Sequence, residues 1–288
     1  MSSNTSSAPE QGSIAKRFLR SFIFVFVGTA LGLILLIFIA EDKFIYFPSS
    51  DGDWSIPEKS NGKISSNQLK TKDGLEIIAW YYKAAQPTEK TVLFFHGNAG
   101  NLTHRHGWAQ ALTLLPANVL QLDYRGYGPN KGKPSEEGLY LDAKSAYDFL
   151  RNEKGVKSED LYIYGISLGG GVATETALRY PCAGLILQST FTSAPDMAGT
   201  RVMNLPLGLF MSSQYASKDK VSKLNKPLMI IHSKDDELIP FYMAEELYRR
   251  AKEPKVLHPF VGAKHNDLLG QRAKELFVLF KEFIKKTN

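Results

Sequence analysis

The chain has 288 residues, a formal net charge of +6 and a single cysteine. One cysteine excludes an intramolecular disulfide and a cysteine zinc cage, and the scattered lysines form no basic helix or aromatic-interleaved patch, which argues against a nucleic-acid partner. Residues 1–17 open with Ser, Asn, Thr and Gln and no apolar periodicity, and read as a disordered tail.

Residues 18–40 follow as a transmembrane anchor. Positions 21–40, SFIFVFVGTALGLILLIFIA, carry no charge, which suffices for a helix to cross a bilayer core of about 30 Å. The alternative of a cleaved leader fits less well, because Phe38 stands where the cleavage pattern needs a small residue. Lys16, Arg17 and Arg20 precede the span, so the N-terminus is expected in the cytoplasm and the rest of the chain outside it, in a periplasm or lumen. Residues 41–62, rich in Ser, Asp, Gly and Pro towards their end, read as a linker.

From residue 63 the pattern changes. Segments 63–71 and 75–83 flank Asp73-Gly74 and predict an antiparallel hairpin. Apolar runs at 91–95, 118–122, 161–164, 184–187, 228–231 and 255–261 then alternate with helical segments near 101–115, 136–152, 168–179, 241–252 and 270–286. That alternation predicts an α/β fold, with a mostly parallel central sheet covered by helices on both faces. Residues 191–222 interrupt it and read as a short helical cap. Phe191, Met197, Met203 and Met211 there are candidates for a wall that accepts an acyl chain, with ordinary core under a long loop as the alternative.

The chemistry sits just past the apolar runs. Gly165-Ile166-Ser167-Leu168-Gly169 follows one run and opens a helix, the context in which a serine is held exposed on a strained turn. Serine needs an imidazole to take its proton, and in this kind of sheet the acid and then the base follow the serine in the chain. Of the three histidines after Ser167, His258 lies inside an apolar run and His232 has no acid-bearing strand before it, which leaves His265 as the base. The acid is expected beyond 228–231, where Asp235 and Asp236 both qualify. His96-Gly97-Asn98-Ala99-Gly100 closes a run and opens a helix. The amides of Asn98 and Leu168 are the expected oxyanion donors, and His96 is expected to brace that loop. Asp123-Tyr-Arg-Gly-Tyr-Gly128 is assigned support of the site. No Lys-Ser or Lys-Thr follows the glycine-rich turns as phosphate cradling requires, and no metal-ligand spacing occurs, so no metal and no cofactor are expected.

Together HGNAGN, DYRGYG, GISLGG, HSKDDELIP and GAKHND resemble the α/β-hydrolase superfamily, and most closely its BEM46-like branch of membrane-anchored hydrolases. The resemblance spans residue 75 to the C-terminus. It implies the α/β-hydrolase fold with a short cap and an N-terminal anchor. The branch's acid motif, His-Gly-x-x-Asp-x-x-Val-Pro, laid on His232 to Pro240 selects Asp236, with Ser233 and Ile239 as mild departures. The expected function is hydrolysis of carboxyl esters, lipid or acyl esters above all, through an acyl-enzyme on Ser167. The alternatives are an acyl-protein thioesterase of the depalmitoylase type, a serine peptidase, and a non-catalytic binding protein on the same frame.

Overall fold

A computed structural model of the chain describes residues 11–56, 63–201, 208 and 211–287. In chain order, helix α1 (Gln11–Ile45) is followed by the two-residue strand β1 (Phe47–Pro48) and the antiparallel pair β2 (Ile64–Lys70) and β3 (Glu76–Tyr82). Then come β4 (Thr91–Phe95), the short β5 (Ala99–Gly100), α2 (His106–Leu112), β6 (Asn118–Leu122), α3 (Glu136–Asp148), β7 (Leu161–Ile166), α4 (Leu168–Arg179) and β8 (Gly184–Gln188). The chain continues through α5 (Ala194–Arg201), α6 (Ser217–Val221), β9 (Leu228–Ser233), α7 (Phe241–Arg250), β10 (Lys255–Phe260), α8 (Leu268–Gln271) and α9 (Ala273–Lys286).

Eight strands form one sheet in the order β10-β9-β8-β7-β4-β6-β3-β2. Only β2 with β3 and β3 with β6 pair antiparallel; every other neighbour runs parallel. The central strands are mostly apolar because both faces are covered, with Gln121 of β6 and Gln188 of β8 as buried exceptions. Successive side chains point to opposite faces, so Leu93 and Phe95 join one buried cluster while Val92 and Phe94 join the other. The first cluster takes in Leu139 and Ala143 of α3, Val172 and Ala173 of α4 and Met243 and Leu247 of α7. The second takes in Trp108 and Leu112 of α2 and Leu276, Phe280 and Phe283 of α9. Parallel strands with crossovers deliver their C-terminal ends to one edge, where β4 and β7 lie in register with Phe95 opposite Gly165.

Two expectations change in the N-terminal part, those of the tail and the linker. The helix reaches back to Gln11, so residues 11–17 are helical and only 1–10 of the expected tail lie outside the described residues. Adding residues to a formed helix is cheap, and Ile14-Ala15-Lys16-Arg17 contains no breaker. The anchor expected over 18–40 falls on α1. Nothing is described of the side chains at 11–15, 30, 33–34 and 36–40, and among the described residues no helix is long and apolar enough to cross a membrane.

The expected linker is not one over most of its length. Residues 41–45 are the last of α1, Phe47–Pro48 pair with Ala99–Gly100, and the Trp54 ring meets Trp80 edge-on at 6.2 Å. Polar composition predicts a surface position, and a surface strand can still be hydrogen-bonded along its length. Residues 57–62 lie outside the described residues. Within the cap, Met203 likewise lies outside them. Phe191 is 7% exposed, its ring 6.4 Å from that of Tyr215, and Met197 and Met211 pack half-buried against the same apolar cluster.

Candidate active site

Ser167 stands between β7 and α4 with φ 54° and ψ −119°, a left-handed conformation unfavourable for a residue with a Cβ. Two close approaches force this turn. A Cβ on Gly165 would lie 2.2 Å from the Gly169 carbonyl oxygen, and one on Gly169 would lie 2.2 Å from the Phe95 carbonyl oxygen. Only hydrogen fits at either position, so the glycines of the motif are what allow α4 to start directly against the end of β4. The Ser167 amide donates to the Gln188 carbonyl at 3.0 Å and the Thr190 hydroxyl to the Ser167 carbonyl at 2.7 Å, which ties the strained residue to the end of β8.

The loop after β10 carries His265, and its Nε2 lies 3.2 Å from Ser167 Oγ. Its Nδ1 lies 2.8 Å from Asp236 Oδ2 in the loop after β9. Asp236 and His265 are each 8% exposed. The other Asp236 oxygen accepts the amides of Leu238 at 2.9 Å and Ile239 at 2.8 Å, and His232 Nε2 lies 3.3 Å from Oδ2. Burial alone would push the Asp236 carboxyl up; hydrogen bonds from His232 and His265, the attraction of His265 and the Ile239 amide outweigh it and hold the group well below the usual carboxylate range. An ionised carboxylate fixed in this way keeps the proton of His265 on Nδ1 and leaves Nε2 to accept from a hydroxyl.

Residue types alone left Asp235 and Asp236 open, and the structure gives them separate partners. Asp235 Oδ2 accepts the Gly262 amide at 2.6 Å, and Glu237 Oε2 accepts the His265 amide at 3.0 Å. Three consecutive acidic residues thus grip the loop that carries His265, two through its backbone and one through the imidazole. The sequence reading missed Glu237 and His232. The signal for His232 was its place four residues before Asp236; that for Glu237 was a third acid in a run facing one histidine loop.

His96 is the brace of the loop after β4. Its Nδ1 lies 2.7 Å from the Gly97 carbonyl and its Nε2 2.9 Å from Asp123 Oδ1, with the ring fully buried. The peptide unit is planar, so a carbonyl pinned by His96 turns the amide of Asn98, in the same plane, the opposite way. Asp123, in the segment assigned support, does so by fixing His96. Gly97 sits against the serine: a Cβ there would lie 3.9 Å from Ser167 Oγ. Among the described residues no group accepts a hydrogen bond from the Asn98 or Leu168 amide. Leu168 is the first residue of α4, whose leading amides have no partner within the helix. Among the described residues no cluster of three His, Cys, Asp or Glu is arranged to hold a metal ion.

Comparisons with known proteins bear on the family and the fold. Residues 86–218 match the family model described as serine aminopeptidase, S33. An uncharacterized protein of Mycobacterium tuberculosis is 34% identical over 241 residues, covering 83% of this chain and 85% of its own length. Human alpha/beta hydrolase domain-containing protein 17B is 31% identical over 241 residues, covering 83% and 81%. This chain belongs to the α/β-hydrolase superfamily. Among solved structures the Pyrococcus furiosus esterase Pf2001 superposes with a TM-score of 0.69 over 84% of this chain and 97% of its own, at 21% identity, a likeness of fold. The superfamily fold accounts for the mostly parallel central sheet covered by helices.

Proposed function

We propose that this hydrolase cleaves carboxyl esters through an acyl-enzyme on Ser167. His265 takes the serine proton and returns it to the leaving group, Asp236 orients the imidazole and stabilises its charged form, and the amides of Asn98 and Leu168 hold the oxyanion. The observation that carries this reading is the unbroken series from Ser167 Oγ through His265 to Asp236, at 3.2 and 2.8 Å, on a serine held in strained backbone geometry. Hydrolysis of p-nitrophenyl esters of increasing chain length, lost in Ser167→Ala, tests it; unchanged hydrolysis in that variant contradicts it.

The substrates we propose are lipid or acyl esters, presented at a bilayer. Large apolar side chains on α1 support this: Phe18, Phe22, Phe24, Phe26, Leu31 and Leu35 are all exposed, and apolar surface of this kind is costly in water. Lys16, Arg17 and Arg20 before the apolar segment support an orientation with the N-terminus in the cytoplasm and the catalytic domain outside it. In that orientation palmitoylated cytosolic proteins are out of reach, which favours a lipid ester over an acyl-protein thioester. A second reading, amide hydrolysis by the same three residues, is favoured by the matched family model and separates by activity on aminoacyl p-nitroanilides.

A further inference from the structure

The end of α1 and the residues that follow it bond both to the cap and to the loop after β4. On the cap side the Glu41 carboxylate, 3% exposed, accepts the Ser212 amide at 2.8 Å and hydroxyl at 3.0 Å with one oxygen and the Ser213 amide at 2.7 Å with the other. The hydroxyls of Tyr46 and Tyr215 meet at 2.8 Å. On the opposite side, Asn98 Nδ2 donates to the Ile45 carbonyl at 3.1 Å, and the Phe47 amide donates to the Asn98 carbonyl at 2.9 Å. The Ser49 amide continues the ladder to the Gly100 carbonyl at 3.1 Å, and Asn101 Nδ2 donates to the carbonyls of Ser49 at 3.0 Å and Asp51 at 2.5 Å.

We propose that residues 41–51 are the positioning element of the oxyanion loop, coupling the end of α1 and the cap to the amide of Asn98. His96 pins the peptide plane before the Asn98 Cα through the Gly97 carbonyl; the strap, together with the Tyr127 hydroxyl at 2.7 Å, pins the plane after it through the Asn98 carbonyl, and the strap alone holds the side chain between them. With both flanking planes held, the Asn98 amide does not turn when charge develops in front of it, and a preset donor costs no reorganisation in the transition state. Glu41 supplies the fixed end. Its two oxygens take three donors from the cap, so the last turn of α1 cannot shift without breaking them. The inference rests on the reading of Asn98 as an oxyanion donor.

The test uses the full-length protein in detergent with p-nitrophenyl butyrate as the probe. Asn98→Ala keeps the backbone amide and removes only the hydrogen bond to Ile45; Glu41→Ala releases the strap from the cap. Each is expected to lower kcat about tenfold or more, with KM within about twofold and the shape of the pH profile unchanged, since His265 and Asp236 are untouched. In the double variant the losses are expected to combine to less than their product, because both act through one element. If Glu41→Ala does not fold, Asn98→Ala decides alone. Unchanged kcat in Asn98→Ala, or losses that multiply, overturns the proposal. Ser167→Ala separates it from the reading beneath it: an inactive Ser167→Ala with fully active strap variants sinks the strap alone, whereas an active Ser167→Ala sinks the hydrolase reading as well.

Discussion

Asp236 and His265 share a 2.8 Å hydrogen bond although they lie on loops that follow different strands of the sheet. The parallel register of β9 and β10, which sets Phe260 opposite Ser233, brings the two loops together, and the neighbouring Asp235 and Glu237 hold the histidine loop by its backbone. Replacing Asp236 by Asn keeps the shape and removes the charge. On this account Asp236→Asn lowers kcat about 10³–10⁴-fold, because the amide no longer holds the proton on Nδ1. Steady-state rates of the purified variant check it, with circular dichroism to show that the fold is intact.

The same carboxylate makes stability depend on pH. Its folded pKa lies below the unfolded value of about 3.9, so its contribution is fully present above about pH 5 and is lost as the pH falls through the folded value. The difference in urea midpoint between wild type and Asp236→Asn is therefore expected to be larger at pH 7 than at pH 3. Equal differences at both values would show that the carboxylate contributes nothing through its charge.

Gly169→Ala tests the packing that strains Ser167. The added methyl meets the carbonyl oxygens of Phe95 and His96, backbone atoms that cannot rotate away, so a loss of about 1–3 kcal/mol or more is expected. A melting temperature equal to that of wild type would mean that the turn has room that the structure does not give it.

Asn101-Leu102-Thr103 is a glycosylation sequon with a buried asparagine. Both donor hydrogens of its carboxamide are used by the strap, one on Ser49 and one on Asp51, and neither the hydrogens nor the space are available to a glycan in the folded protein. Expressed in a glycosylating host, active protein is expected to carry unmodified Asn101 by peptide mass spectrometry.

Much of this was legible in the residues, and the part that was not has a physical reason. Strands such as β4 and β6 announce themselves because both faces are buried and most positions are apolar. Ser167 could be placed because it follows such a strand, β7, and His265 because it follows the last strand of the chain, the half-buried edge strand β10. Asp235 and Asp236 could not be told apart without a resemblance, since neighbouring residues in a loop differ only in direction, which packing decides. Phe47 and Pro48 gave no strand signal: two residues carry no periodicity, and their pairing is made by backbone atoms that every sequence has. The helical run expected over 270–286 starts earlier and breaks at Arg272, whose backbone leaves the helical region with no breaker residue to mark it.

The central claim is that Ser167 is a nucleophile activated by His265. Labelling of the detergent-solubilised protein with a fluorophosphonate probe tests it most directly, comparing wild type with Ser167→Ala and His265→Ala. The account predicts stoichiometric labelling of wild type at Ser167, none in Ser167→Ala, and labelling slowed by about a thousandfold or more in His265→Ala. Folded wild type that takes up no probe, or a Ser167→Ala variant that labels as wild type does, would contradict it.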